Sequence, residues 1–324
     1  MNLIFLLKKG EVILGFIFDF FGNISGYLLW FFFDAVSNYA LAILLFAVVV
    51  NLIMLPIAIK RQKNMALTSR LSAKQQELKK KYEKNPRKYN EEVSRLYEKE
   101  GINPMAGCLS TMVLPLLIWS GVFGAITKPL QNTLHIPTEK VVSVIETLKS
   151  DGKISGPYEQ LQLVRHFEDL KGYLGSFSPE EFADVEEYSN GFEFLGINLL
   201  GNPSTSNFSE MLWVIPLLCF ISSVAGMYIT QKMSGTQNAA QGCAKIMPYG
   251  AALFTTYVAY TMPAAVGLYW FINGVINAVQ SFILNKYFNI YTINAENEAA
   301  RYALLELKDS DVVCLKEEVV TESK

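Results

Sequence analysis

The chain has 324 residues, of which 51% are hydrophobic and 18% charged, against the ~25% charged of an average soluble domain. The apolar residues fall in long runs, and the stretches between them hold nearly all the Lys, Arg, Asp and Glu. That segregation excludes an ordinary soluble domain and points to a membrane. A net charge of −2 gives no basic excess for nucleic acid, and Cys108, Cys219, Cys243 and Cys314 have neither metal-site spacing nor a histidine beside them.

Residues 1–38 are apolar but interrupted. Lys8 and Lys9 follow an apolar stretch instead of leading it, and no A-x-A cleavage site comes after, so a secretory signal is not expected. Glu11, Gly15, Asp19, Gly22, Asn23 and Gly26 recur at helical spacing along one side. Such a stripe suits a helix lying in the membrane interface, with a sixth span as the alternative.

A spanning helix needs ~20 mostly apolar residues. Residues 39–59, 105–127 and 211–231 meet that requirement, and 246–284 holds a fourth and a fifth span separated at Met262-Pro263. The charged segment 60–104 reads as a helical hairpin broken at Asn85-Pro86, because proline cannot continue a helix interior. Leu71, Leu78 and Tyr82 stripe its first arm, and Val93, Leu96 and Tyr97 its second. Segment 128–210 reads as a small, acidic, mostly helical cap, with apolar periodicity over Val141–Leu148 and Leu161–Phe167. A short loop, 232–245, joins the third and fourth spans. The tail 285–324 is polar, with a short helix predicted around Ala295–Leu307. The fold class is an all-α integral membrane protein: a five-helix transmembrane bundle with a cytoplasmic helical hairpin and a small extracytoplasmic insertion.

Charge sets the orientation. Residues 60–103 carry thirteen Lys/Arg against six Glu, a balance of +7, whereas 128–210 carry six against thirteen acids, a balance of −7. The first is expected in the cytoplasm, where Lys60, Arg61 and Lys63 form a basic rim against the first span, and the second outside. Five spans then put the N-terminus outside and the C-terminus in the cytoplasm.

The last span carries the clearest constellation. Trp270, Asn273, Asn277 and Gln280 fall at i, i+3, i+7 and i+10, on one face. Amides are costly against lipid, so that face meets protein or water. Two readings stand: hydrogen bonds that hold the bundle together, or a wet polar cavity in its cytoplasmic half. Asn51 in the first span, Thr111 and Ser120 in the second, Ser222 and Ser223 in the third, and Thr255 and Thr256 in the fourth add polar groups, although hydroxyls can bond back to their own helix. Pro56, Pro115, Pro216, Pro248 and Pro263 kink or border the spans. No span holds Asp, Glu, Lys, Arg or His, no run matches G-x-x-x-x-G-K-[ST], and no nucleophile has a base beside it. The chain is therefore not expected to be an enzyme or to carry a metal or cofactor. A small-molecule transporter would call for buried charges or inverted repeats. An assembly scaffold would share the polar face.

Three motifs resemble one family. Asn38-Tyr-Ala-Leu-Ala-Ile-Leu-Leu, leading to Leu55-Pro56, is similar to the first core span of bacterial YidC-type membrane protein insertases. Gly101-Ile-Asn-Pro-Met-Ala-Gly-Cys108 is similar to the approach to their second, and Met262-Pro-Ala-Ala-Val-Gly-Leu-Tyr-Trp270 with Asn273 to the start of their last. The resemblance covers residues ~26–290 in order. It implies five helices around a groove open to cytoplasm and lipid, through which hydrophobic segments of nascent membrane proteins pass into the bilayer without nucleotide hydrolysis. It also implies a bacterial plasma-membrane location and membrane lipid as a partner, with no direct nucleic-acid site, and leaves open work with a Sec-type channel, the signal recognition machinery and the ribosome. The sequence departs from the family pattern in three places: Asn51 stands where the groove arginine is usual, Leu114 precedes Pro115 where glutamine is common, and the tail is acidic, not basic.

Overall fold

The computed structural model describes the backbone of residues 2–83, 85–99, 104–234, 243–288 and most of 292–307. Its side chains are described over 19–63, 74–83, 85–99, 116–208, 210–231, 249–288 and most of 292–307, with Gly15 and Leu71 besides. Thr111 and the whole of the loop 232–245 lie outside the described side chains. The chain is mostly helical. Its elements are α1 (Asn2–Val36), α2 (Tyr39–Lys81), α3 (Pro86–Lys99), α4 (Pro104–Thr127), α5 (Pro129–Asn132), α6 (Thr138–Ser150), α7 (Glu159–Arg165), α8 (Phe167–Leu170), α9 (Pro179–Asn190), strands β1 (Glu193–Phe194) and β2 (Ile197–Asn198), α10 (Val214–Ser234), α11 (Cys243–Thr261) and α12 (Ala264–Tyr287). Among the described residues three helical stretches are long and apolar enough to cross a membrane: Tyr39–Lys63, Val214–Gln231 and Ala264–Tyr287. The segments expected as the second and fourth spans are helical, lying in α4 and α11.

The chain divides into two compact units. The first comprises Met1–Leu55, Cys108–Ile229 and Gln241–Gln280; the second Pro56–Gly107, Thr230–Ala240 and Ser281–Lys324. In the first, the expected stripe on α1 splits in two. Gly22 and Gly26 are buried in register with Leu29 and Phe33, while Asp19 and Asn23 stay exposed. A Cβ on Gly26 would lie 1.7 Å from the Asn132 carbonyl oxygen, and one on Gly121 2.5 Å from Ser25 Oγ. These glycines let α1 approach α4 and α5 more closely than any side chain would allow, as small residues do between membrane helices. Asn132 Nδ2 and Thr133 Oγ1 then donate to the carbonyls of Gly124 (2.8 Å) and Ala125 (3.0 Å).

The acidic segment 128–210 is largely helical, and its buried side chains join those of α1, α2, α4 and α12 in one apolar cluster. Val141, Val144, Ile145 and Leu148 of α6 are buried in this cluster with Leu161, Leu163 and Val164 of α7 and with Phe167, Val185 and Tyr188. A capping box starts α9: Ser178 Oγ accepts from Glu181 N (3.1 Å), and Ser178 N donates to Glu181 Oε2 (2.6 Å). Lys140 reaches the same carboxylate at 2.8 Å, which holds Glu181 below the usual carboxylate range. The β1–β2 hairpin is an addition to the mostly helical segment expected from the sequence. It turns on Leu195 and Gly196, both at positive φ, as a two-residue hairpin requires.

The stretch 191–201 pins the starts of two helices. Tyr39 N donates to Gly191 O (2.9 Å), Ala264 N to Gly201 O (2.8 Å) and Ala265 N to Leu199 O (3.0 Å). These bonds satisfy donors that a helix start leaves unpaired. Tyr39 also stacks into an aromatic cluster with Phe33, Tyr188 and Phe192. α10 begins three residues later than the predicted third span, because Met211 closes a short 3₁₀ turn with φ 55°. It packs on α12 through small residues: a Cβ on Gly274 would meet Ser222 Oγ at 3.0 Å, and one on Gly226 would meet Ala278 Cβ at 3.8 Å.

In the second unit, α2 runs on past the expected span boundary at residue 59, as one helix of 43 residues with Pro56 inside it. Asn85 caps α3, its Oδ1 accepting from Lys88 N at 3.1 Å, with Pro86 at the first helical position. Gln75 Nε2 donates to Tyr97 Oη across the hairpin (2.6 Å). No residue of α3 is buried. Asn285, expected to open the polar tail, is instead buried in the last turn of α12.

Candidate functional site: a polar face below a dry core

Both α2 and α12 start at the stretch 191–201 and run away from it, so equal distances along them lie at similar depth. Asn51 is twelve residues into α2 and Asn273 nine into α12, roughly 18 and 14 Å along at 1.5 Å per residue. The two side chains meet: Asn51 Nδ2 donates to Asn273 Oδ1 at 2.9 Å and to Ala47 O, one turn back, at 2.8 Å. Asn277 Nδ2 returns to Asn273 O at 2.8 Å. Among the described residues no partner is seen for Asn51 Oδ1 or Asn273 Nδ2, so one acceptor and one donor remain available.

The pair stands where the dry core stops. On the side towards the helix starts, Phe46, Ala47, Val266 and Tyr269 are at most 4% exposed, and Phe46 meets Tyr269 edge-on at 6.2 Å. From Asn51 and Asn273 onward the polar side chains of this face are only partly covered. Asn51, Asn273, Asn277 and Gln280 are all half-buried. Packing accompanies this change: above the pair Phe46 and Tyr269 fill the space between the helices, whereas from the pair onward α12 presents the amides of Asn273, Asn277 and Gln280, which cannot be left dry at low cost.

Trp270 lies one turn above Asn273 and stacks on Trp119 of α4, with centroids 6.3 Å apart. Trp119 stacks in turn on Phe123 at 5.3 Å, and its indole Nε1 is enclosed without a hydrogen-bond partner. Sequence reasoning missed Trp119, although its neighbour Ser120 was singled out. A tryptophan in mid-span was the available signal, since an indole N–H buried in a membrane helix needs a partner. Ser120 is buried but spends its hydroxyl on Leu117 O (2.7 Å). Ser222, Thr255 and Thr256 bond back to their own helices in the same way. None of these hydroxyls offers a free donor, so the polar character of the face rests on amides and indoles. Lys60, Arg61 and Lys63 are exposed and belong to the second unit.

Residues 31–291 match the 60Kd inner membrane protein family. The chain is 27% identical over 262 residues to the membrane protein insertase YidC of Caldanaerobacter subterraneus subsp. tengcongensis, covering 81% of this chain and 92% of that protein. It is 26% identical over 259 residues to the membrane protein insertase YidC of Helicobacter pylori, covering 80% of this chain but 35% of that longer protein. A shorter match, 40% identical over 105 residues, links it to the membrane protein insertase YidC of Caulobacter vibrioides, 16% of whose length it spans. The family match covers α2, the hairpin, α4, the cap and α10–α12 in one run, so the chain belongs to the 60Kd inner membrane protein family.

Proposed function

We propose that the chain is a membrane protein insertase in a bacterial inner membrane, passing hydrophobic segments of nascent membrane proteins from the cytoplasm into the bilayer without nucleotide hydrolysis. The observation that carries this is the Asn51–Asn273 pair at the edge of the dry core, half-buried and with hydrogen-bonding capacity to spare. A polar face that ends against a packed aromatic layer lowers the desolvation cost of bringing a hydrophilic end part of the way across. The aromatic layer keeps the far side sealed. The names of the relatives support the same activity.

In this account five helices, α2, α4, α10, α11 and α12, span the bilayer. The basic hairpin and the tail lie in the cytoplasm and the acidic cap outside, following the charge balance. The N-terminus lies outside, with α1 as an interfacial helix. Asp19 pairs with Lys128, the first residue of the acidic segment, at 2.9 Å, which suits a helix lying along that edge. Nascent chains and lipid are the partners. A Sec-type channel, the signal recognition machinery and the ribosome are candidates that the chemistry of the face leaves open.

The direct Asn51–Asn273 bond also favours a second reading, an assembly scaffold whose amides only tie helices together. Reconstitution separates the two. The purified chain in protein-free vesicles should insert a single-span substrate without ATP or GTP. A scaffold would leave insertion at the level of empty vesicles.

A further inference from the structure

Within the second unit, the root of the hairpin grips the end of α12. Gln62 and Asn285 are 7% and 6% exposed, and Gln62 Nε2 donates to Asn285 Oδ1 at 2.9 Å. The same nitrogen reaches Phe288 O at 3.5 Å, one of the carbonyls that a helix end leaves without a partner. Asn285 Nδ2 is held by Ser281 O at 2.8 Å, so the acceptor is fixed before Gln62 arrives. Lys63 Nζ stands 5.6 Å from the centre of the Phe288 ring, a cation at a helix C-terminus, where the dipole favours it. Gln62 therefore caps α12 from another helix.

One buried residue in four adjacent positions fixes the rotation of a helix, since successive side chains are about 100° apart. With Gln62 turned inward, Lys60, Arg61 and Lys63 are all exposed. Ala58 and Ile59, four and three positions back on the same face, are half-buried, and the amide pair sets Gln62 as the fully buried position.

We infer that Gln62 is a positioning residue whose bond to Asn285 holds the basic rim of Lys60, Arg61 and Lys63 outward, where it receives acidic segments of the substrate. This rests on the insertase reading. The occupant is a substrate tail bearing Asp or Glu. Its attraction is a surface effect that salt screens over ~8–10 Å.

The test uses the full chain in vesicles and two substrates that differ only in Asp/Glu against Asn/Gln in the tail. At ~0.05 M salt the unaltered chain should insert the acidic tail faster, on the order of threefold, and the advantage should vanish near ~0.5 M. Gln62→Leu should abolish the advantage and its salt dependence while the neutral tail inserts as before. Exchanging the pair, Gln62→Asn with Asn285→Gln, should restore both. If Gln62→Leu keeps the salt-sensitive advantage, or slows both tails equally as a folding defect would, the positioning role is overturned while the insertase reading stands. Failure of the unaltered chain to insert either tail overturns both.

Discussion

Asn51 and Asn273, 222 positions apart in the chain, join α2 to α12 through a single 2.9 Å amide–amide bond at the level where the dry core gives way to half-buried side chains. The bond meets part of the hydrogen-bonding demand of each amide. An interhelical bond of this kind contributes ~0.6 kcal/mol on average inside a bilayer. Asn51→Ala should therefore reduce insertion mildly, about twofold to threefold. Asn51→Arg should be tolerated, since the site already faces polar groups, and should favour substrates with acidic translocated tails. Rates for tails matched except in charge measure both effects. A collapse of insertion in Asn51→Ala for every substrate would show that the pair is a structural tie with no spare role.

Trp119 carries an enclosed indole N–H with no acceptor. An unsatisfied buried donor costs ~1–3 kcal/mol, so Trp119→Phe, which keeps the stack on Trp270 and Phe123, should leave thermal stability in detergent unchanged or raise it. Trp119→Ala removes the stack and opens a cavity, with an expected loss of about 3–5 kcal/mol. Equal destabilisation by Phe and Ala would mean that the N–H is satisfied in the membrane.

Gly26 has no room for a side chain against the Asn132 backbone. Overpacking of this kind typically costs ~1–3 kcal/mol, and backbone on backbone leaves little to relax. Gly26→Leu should detach α1 from α5. Gly15→Leu, where nothing lies within 4 Å of the added Cβ, should not. Protease sensitivity of the segment before Tyr39, compared between the two variants, reads this directly.

These glycines show how much the sequence disclosed. The stripe containing Gly22 and Gly26 was visible as a pattern but read as a polar face. Glycine spacing alone does not separate a wet face from a close helix contact; the buried Leu29 and Phe33 in the same register do. The helices, the break at Asn85-Pro86 and the tight α11–α12 turn at Pro263 were legible, because proline chemistry and apolar run length act locally. That Asn51 and the α12 amides meet on one face was also legible, but the particular bond to Asn273 was not, since it depends on α2 and α12 starting from the same stretch of the cap, and the bond of Gln62 to Asn285 was not read either. The β1–β2 hairpin was missed because Leu195 at positive φ is an unusual turn residue. The capping box Ser178-Pro-Glu-Glu181 could have been read but was passed over among the Gly, Pro and Ser of its segment.

His135 sits at φ 53°, its ring stacked on Tyr27 with centroids 3.4 Å apart and its Nε2 enclosed without a partner. Burial holds its pKa below the ordinary histidine range. The folded chain thus binds fewer protons at this position than the unfolded chain. The contribution of His135 to stability is complete above the unfolded value near ~6.5 and is lost as pH falls below it. His135→Asn, which tolerates positive φ, removes the titration. Between pH 7.5 and 5.5 the melting temperature of the unaltered chain should fall relative to that variant. A constant gap across this range would show that His135 is protonated as readily in the fold as in water.

The most direct test of the insertase account is photo-crosslinking from position 51 to a membrane protein stalled during synthesis on the ribosome. A probe there should capture the hydrophobic segment of a single-span substrate at intermediate chain lengths and release it once the segment has entered lipid. A probe at Leu163, in the core of the cap, should capture nothing. Absence of crosslinks from position 51 at every chain length, with the substrate still inserted, would contradict a substrate path along the Asn51–Asn273 face.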